Sequence, residues 1–187
     1  MKIPNKACKV FRGIIFNVYH WQQEMFDGSE ETFEMLERQP TVDILPLVGD
    51  KIIVLKQEQP GRSVYPSLVG GRIEKGEEIL KTAKRELLEE TGYKSERFSV
   101  IDEYFGSSKM YYHEHLIVAE NCKKTEEQNL DAGEKIEIQL VDFEEFLNLV
   151  RDGDFTAPLK LQFEMYEALL DKKKKENLRK KIFENKN

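Results

Sequence analysis

Residues 71–93 read GRIEKGEEILKTAKRELLEETGY and hold the densest set of side chains able to do chemistry. If this segment is helical, Glu86 and Glu90 stand at i and i+4 on one edge, and Glu89 lies one turn from Glu86. Like charges at that spacing repel by roughly a few tenths of a kcal/mol per pair. A helix that carries them either faces open water or binds cations. Acidic runs decorate many exposed helices, and taken alone the run reads that way. Hard divalent ions such as magnesium take carboxylate and phosphate oxygens together, so a diphosphate site is the chemistry this cluster would serve. Gly70 and Gly71, just upstream, allow a ligand to approach the backbone closely or a carbonyl to face a metal.

A second set lies at His113-x-His115, where a strand would put both rings on one face and Glu114 on the other. Two histidines can begin a zinc site, but no third ligand is evident. They are read as strand residues near the mouth of a substrate site, and Glu114 is given no role.

The elements that must position these groups follow from turn signals and periodicity. Cys8–Tyr19 is strand-like, Asp27-Gly28 is a hairpin turn, and Thr32–Arg38 is the return strand. Val42–Val48 and Lys51–Leu55 flank Gly49-Asp50 as a second hairpin. Pro60-Gly61 breaks the chain before Val64–Gly71. From Glu77 to Thr91 the apolar residues Ile79, Leu80, Ala83, Leu87 and Leu88 recur at helical spacing, and Gly92 suits the left-handed residue that ends a helix. Phe98–Phe105 and Met110–Ala119 read as strands, 121–133 as a polar loop, and Glu134–Val141 as a strand. A helix is expected around Phe143–Arg151. Pro158 opens a last helix with Leu159, Phe163, Tyr166, Leu169 and Leu170 as its inner stripe. The class is α+β.

The chain has 187 residues, 40% hydrophobic and 34% charged, which suits one soluble globular domain with a small appended element. That length buries roughly two-thirds of the unfolded surface. No run of about 18 apolar residues exists, so no membrane helix is expected. The start lacks a small-residue cleavage site, which argues against secretion. Cys8 and Cys122 form no CxxC pair, which excludes a disulfide scaffold and a cysteine zinc site and fits a reducing cytoplasm. The net charge of −6 conceals a basic tail: residues 171–187 hold eight Lys/Arg against three Asp/Glu, leaving −11 on the rest. An acidic body that handles polyanions needs divalent cations to do so. The tail reads as a solvated, fraying helix end, with contact to nucleic acid or lipid as the rival reading.

Taken with its spacing, Gly71-x5-Glu77-x7-Arg85-Glu86-Leu87-x-Glu89-Glu90-x-Gly92-Tyr93 matches the box of the Nudix hydrolases at every fixed position. With each residue used at about 5–7%, seven fixed matches at one start have a chance on the order of 10⁻⁹. The resemblance implies an α/β/α sandwich around a mixed sheet and hydrolysis of a nucleoside diphosphate linked to another moiety, with Mg2+ or Mn2+ as cofactor. It makes Glu86, Glu89 and Glu90 metal ligands, with a carbonyl of Gly70 completing the set. Arg85 would pair with box carboxylates such as Glu77, and Tyr93 replaces a commoner aliphatic residue.

The flanks resemble the ADP-ribose pyrophosphatase branch, which includes nucleotide-sugar hydrolases. That likeness implies an antiparallel strand region at 1–40 that helps form a homodimer, a Nudix domain at 41–170 and a basic tail at 171–187. It offers Gln57, Gln59 and Arg62 as substrate-binding candidates, and Trp21 as an aromatic that stacks on the base or fills an interface or core. Glu134 falls where the branch carries a catalytic glutamate in a loop; Glu89 is the candidate base within the box, and a solvated loop residue is the rival reading for Glu134. Ser107-Ser108 stand where ADP-ribose enzymes usually place a proline, which makes ADP-ribose one candidate among nucleoside diphosphate sugars. The expected partner is a small nucleotide, with no membrane and no nucleic acid. The competing functions are RNA 5′-end pyrophosphohydrolysis, resting on the lysine tail, and nucleotide sensing without catalysis, against which the intact box argues.

Overall fold

The computed structural model describes residues 2–106 and 108–184; Ser107, half of the Ser107-Ser108 pair, and the last three residues of the tail lie outside them. The chain opens with β1 (Cys8–Arg12), β2 (Phe16–Glu24) and β3 (Glu30–Arg38). The expected strand Cys8–Tyr19 is therefore two, folded back at Gly13–Ile15. Gly13 donates its N–H to the Phe16 carbonyl at 2.8 Å, and a Cβ there would fall 2.6 Å from that oxygen. The Asp27-Gly28 turn joins β2 to β3 as its residue types demand.

Next come β4 (Thr41–Val48), β5 (Lys51–Gln59), β6 (Arg62–Ser67), β7 (Val69–Arg72), α1 (Ile79–Thr91), β8 (Tyr93–Lys94) and β9 (Arg97–Phe105). Then follow β10 (Met110–Tyr111), β11 (His113–Glu120), β12 (Lys123–Lys124), β13 (Lys135–Val141), α2 (Phe143–Asn148), α3 (Leu159–Leu170) and α4 (Lys172–Phe183). The expected strands Val64–Gly71 and Met110–Ala119 are each divided, at Leu68 and Tyr112. The second break moves the chain from one sheet to another: β10 lies parallel to β3 in the N-terminal sheet, and β11 joins the central one.

Among the described residues the central sheet has seven strands, in the order β13-β5-β4-β11-β9 with β6 beside β5 and β7 beside β4. The β4–β11 pair is parallel and the others antiparallel, so the sheet is mixed. β4 and β5 pair only at Leu47↔Ile52 and Val48↔Lys51. Beyond that they part, β7 taking β4 from Thr41 to Ile44 and β6 taking β5 from Leu55 to Gln59. This fork opens the sheet beside α1.

Alternation along the strands builds two cores. Leu45, Leu47, Ile52, Val54, Leu116 and Val118 pack under α2, α3 and α4. On the opposite face Val42, Ile44, Ile53, Leu55, Ile117 and Ala119 pack against Ala83 and Leu87 of α1. The result is the α/β/α sandwich with a mixed sheet, plus an N-terminal sheet in the order β1-β2-β3-β10.

Two expectations about the C-terminal end fail. The inner stripe of α3 is Leu161, Met165 and Ala168; of the expected stripe only Leu169 packs partly buried against the core, while Leu159, Phe163, Tyr166 and Leu170 are exposed. Both stripes have helical spacing, and the sheet selects the one that sits with Leu45 and Leu116 in the core. Residues 172–183 are no fraying end. Leu178 and Ile182, 4% and 1% exposed, are driven into the core from α4, and Phe183 meets Phe143 edge-on. Lys174, Lys175, Lys180 and Lys181 pair with Glu167, Glu144, Glu176 and the Asp102–Glu164 couple. Ile182→Ala is expected to cost roughly 2–5 kcal/mol of stability, as for a core residue, in urea unfolding. A change within about 0.5 kcal/mol, the surface norm, would restore the solvated tail.

Candidate active site

The burial of Ala83 and Leu87 fixes the rotation of α1, and that rotation decides where its carboxylates point. Glu90 turns inward and is only 6% exposed. Its Oε2 accepts the N–H of Gly70 on β7 at 2.9 Å. Burial pushes its carboxyl well above the usual range; Glu86, Glu134 and Asp43 add to that push, and the Gly70 amide opposes it. Glu86 is also raised, by burial first, with Arg85 opposing and Glu89 and Glu134 contributing.

The glycine pair is required by contact. A Cβ on Gly70 would fall 2.2 Å from the Val42 carbonyl oxygen, and one on Gly71 would fall 2.1 Å from Oε1 of Glu86. A side chain at the first position displaces the backbone of β4; at the second it displaces a carboxylate.

Arg85 holds the cluster together. Its Nε and Nη2 donate to the two oxygens of Glu77, each at 3.2 Å, and Nη1 donates to Glu86 at 2.9 Å and Glu89 at 3.0 Å. Nη2 also reaches the carbonyl of Arg72 at 3.3 Å. The fork on Glu77 lowers that carboxyl to about 2.

Like most helices, α1 leaves its last carbonyls without partners inside the helix. Here the segment after β11 supplies donors. Lys124 Nζ reaches Thr91 O at 3.0 Å, Gln128 Nε2 reaches Glu90 O at 2.7 Å, and the N–H of Asn129 reaches Glu89 O at 2.9 Å. The amide of Thr125 caps Gly92 O at 2.9 Å. Gly92 itself is left-handed at φ 69° and donates to Leu88 O, which ends the helix as its position in the sequence implies. This lacing carries Asp131 and Glu134 over the carboxylates, where the Glu134 amide closes a turn on Asp131 O at 2.9 Å.

Glu86, Glu89, Glu90, Glu134, Gly70 and Gly71 thus line one cleft of about 210 Å3. Gln57 lies in a second cleft of about 290 Å3, in the fork between β4 and β5, which shares Gly70, Gly71, Glu90 and Glu134 with the first. Gln57 is 8% exposed; its Nε2 donates to Ser67 Oγ at 2.5 Å and its Oε1 accepts from Tyr65 at 3.3 Å. Gln59 lines the same cleft. Arg62 lies outside the carboxylate cluster: its guanidinium stacks 3.2 Å from the Tyr65 ring centre and donates to Thr156 Oγ1 at 2.8 Å, so it reaches the wall of the second cleft. Trp21 is buried in the N-terminal sheet against Phe33, with its Nε1 on Gln23 Oε1 at 3.1 Å, and lines neither cleft.

Two carboxylates of the second cleft were given no role by their sequence positions. Asp43 is pushed up to about 8 by burial, with Glu114 adding and the Arg38 guanidinium opposing, and Glu114 is itself raised by burial. The signal for Asp43 was an acid inside the apolar run VDILPLV, since a buried carboxylate needs a partner.

The donor set fits a hard divalent cation. Several carboxylates crowd a small cleft, burial disfavours the charge of Glu86 and Glu90, and the glycine pair leaves backbone within reach. Among the described residues no three such groups are gathered at metal-binding spacing, and the Arg85 guanidinium pairs with Glu86 and Glu89.

The profile of the NUDIX domain matches residues 37–162. The chain is similar to the ADP-ribose pyrophosphatase of Bacillus subtilis (strain 168), with 32% identity over 151 residues that cover 78% of this chain and 81% of that one. It is also similar to the methanol dehydrogenase activator of Bacillus methanolicus, at 26% over 176 residues covering 89% and 95%. A solved structure of an ADP compounds hydrolase superposes with a TM-score of 0.67 at 21% identity, covering 84% of this chain and 89% of that one.

The Glu77–Arg85 fork has a pH signature. With the Glu77 carboxyl lowered from 4.5 to about 2, its contribution to stability is present above pH 4.5 and is lost as pH falls towards 2. The difference in Tm between wild type and Glu77→Gln is therefore expected to be full at neutral pH and to shrink across that window. A difference that stays constant down to pH 2 would remove the ion pair from the account.

Proposed function

The chain belongs to the NUDIX family, whose members are hydrolases of diphosphate linkages, and on that premise we propose its substrate class and the work of each residue. The substrate is a nucleoside diphosphate derivative, ADP-ribose or a nucleotide sugar, split into a nucleoside monophosphate and a sugar phosphate. The similarity to the Bacillus subtilis ADP-ribose pyrophosphatase supports that choice. One observation carries the reading: Glu86, Glu89, Glu90 and Glu134, from a helix and a separate loop, line a single cleft floored by Gly70 and Gly71.

In this reading Glu86, Glu89 and Glu90 hold Mg2+ or Mn2+, with the Gly70 backbone beside them. A bound divalent ion neutralises charge on the diphosphate oxygens and lowers the pKa of a water molecule. Arg85 keeps the ligand carboxylates oriented through the same guanidinium that is fixed on Glu77. Glu134, carried over the cleft by the laced loop, takes the proton from the attacking water, with Glu89 as the alternative base within the box. Gln57 and Arg62 bound the substrate from the fork side.

The active form is a homodimer built on the N-terminal sheet, where Val10, Phe11, Ile14 and Ile15 are exposed at 52%, 58%, 91% and 47%. Among the described residues no helix is long and apolar enough to cross a membrane. The free cysteines, Cys8 exposed and Cys122 buried, support a reducing cytoplasm as the working compartment.

Glu134→Gln is expected to lower kcat by roughly 10²–10⁴-fold while leaving metal affinity within about twofold, as loss of a general base does. Glu86→Gln should instead weaken metal binding. Unchanged turnover in Glu134→Gln, measured by release of nucleoside monophosphate, would hand the role to Glu89. For the dimer, Phe11→Asp combined with Ile14→Asp should halve the mass found by light scattering. A wild-type monomer at the same concentration would sink the assembly.

A further inference from the structure

A helix on the outside of a domain turns polar residues to water, yet α3 does the opposite. Across from its core stripe of Leu161, Met165 and Ala168 runs a second one: Leu159, Phe163, Tyr166 and Leu170, exposed at 65%, 60%, 41% and 90%. Taking roughly 200 Å2 for each whole residue, these four leave on the order of 500 Å2 of largely apolar surface open on one face. That is as large as the largest patch a typical monomer shows, and such patches mark contact sites. The Tyr166 hydroxyl donates to the Val150 carbonyl, which restrains its ring on this face. No residue of α3 lines the carboxylate cleft or the cleft in the fork.

The order of the residues says what covers the stripe. The steps between the four are 4, 3 and 4, the spacing of a helix-to-helix seam. Read from either end, the stripe is leucine, aromatic, aromatic, leucine. A two-fold axis between Phe163 and Tyr166 lays such a pattern antiparallel on a copy of itself. Leu159 then meets Leu170 of the partner subunit, and Phe163 meets the partner's Tyr166. Charge follows the same symmetry. Lys160 and Glu167 lie along one flank of the stripe, and this two-fold sets like flank against like flank, so each Lys160 comes beside the partner's Glu167. Within the protomer these side chains contact Asp102 and Lys174, and both remain more than half exposed.

We propose that α3 is a two-fold interface with a second copy of this chain, helix packed on antiparallel helix. The four apolar residues bury about 1,000 Å2 counted over both copies, the size at which a specific contact begins, and the flanking polar residues add to it. This contact is separate from the N-terminal sheet, so a protein joined through both is a dimer of dimers.

Light scattering on the full chain at one concentration tests it. Phe163→Glu combined with Leu170→Glu should halve the wild-type mass, with the circular dichroism spectrum and the kcat per subunit unchanged. Lys160→Glu alone and Glu167→Lys alone should each raise the dissociation constant of this step roughly tenfold, as exposed ion pairs turned to like charge do. The two together should restore it. That rescue cannot arise inside one protomer, where the double change sets like charges against both Asp102 and Lys174. An unchanged mass in the apolar pair, or a double reversal weaker than either single one, would overturn the interface. So would a wild-type dimer that either the α3 pair or Phe11→Asp with Ile14→Asp converts to monomer, since the partner's N-terminal sheet would then be what covers α3. Halving by the α3 pair where the N-terminal pair changes nothing would keep this interface and remove the other.

Discussion

Crowding of like charge under partial burial is the constraint on which the rest of this structure depends. Carboxylates lose solvation when they are drawn together out of water, and each raises the cost of ionising its neighbours. The fold meets that cost with a small number of fixed groups. One guanidinium, Arg85, bridges Glu77, Glu86 and Glu89; one backbone amide, that of Gly70, serves Glu90. The glycine pair follows from the same crowding, because any side chain there would occupy the space of a carboxylate or of β4. Even the length of α1 is tied to it, since the left-handed Gly92 stops the helix two residues after Glu90.

How far the sequence revealed this depended on distance along the chain. The box was legible because its carboxylates, its arginine clamp and its glycine pair lie within 70–92, the charged residues at helical spacing. Hairpins were legible where turn residues such as Gly49-Asp50 announce them. The second cleft was not, because it exists only where β4 and β5 part company and β6 and β7 take their places. Asp43 and Glu114 meet there through the parallel pairing of β4 with β11, which no local pattern encodes. The division of Met110–Ala119 was hidden for a related reason: nothing in its run of strand formers marks Tyr112 as the crossing between two sheets.

Helical faces were the least legible. α3 carries apolar residues on more than one side, so periodicity offered two inner stripes and only packing chose between them. In α4 two buried apolar residues sit in a run of lysines, and composition pointed towards solvent. Lys174, Lys175 and Lys181 answer acids on α3, α2 and β9, so part of the charge that suggested a polyanion partner is spent within the molecule.

The lacing of 124–129 onto the end of α1 gives the loop a defined hinge. Asn129 is pinned to the carbonyl of Glu89, and Lys135 already belongs to a strand paired with Glu58. Only the stretch from Leu130 to Glu134 is left to place an acid over the cleft. A change of one residue in that short tether would re-aim its carboxylate without touching the helix, the sheet or the carboxylates of α1. The position of that acid over the cleft is thereby set by the tether's reach and not by the packing that stabilises the fold.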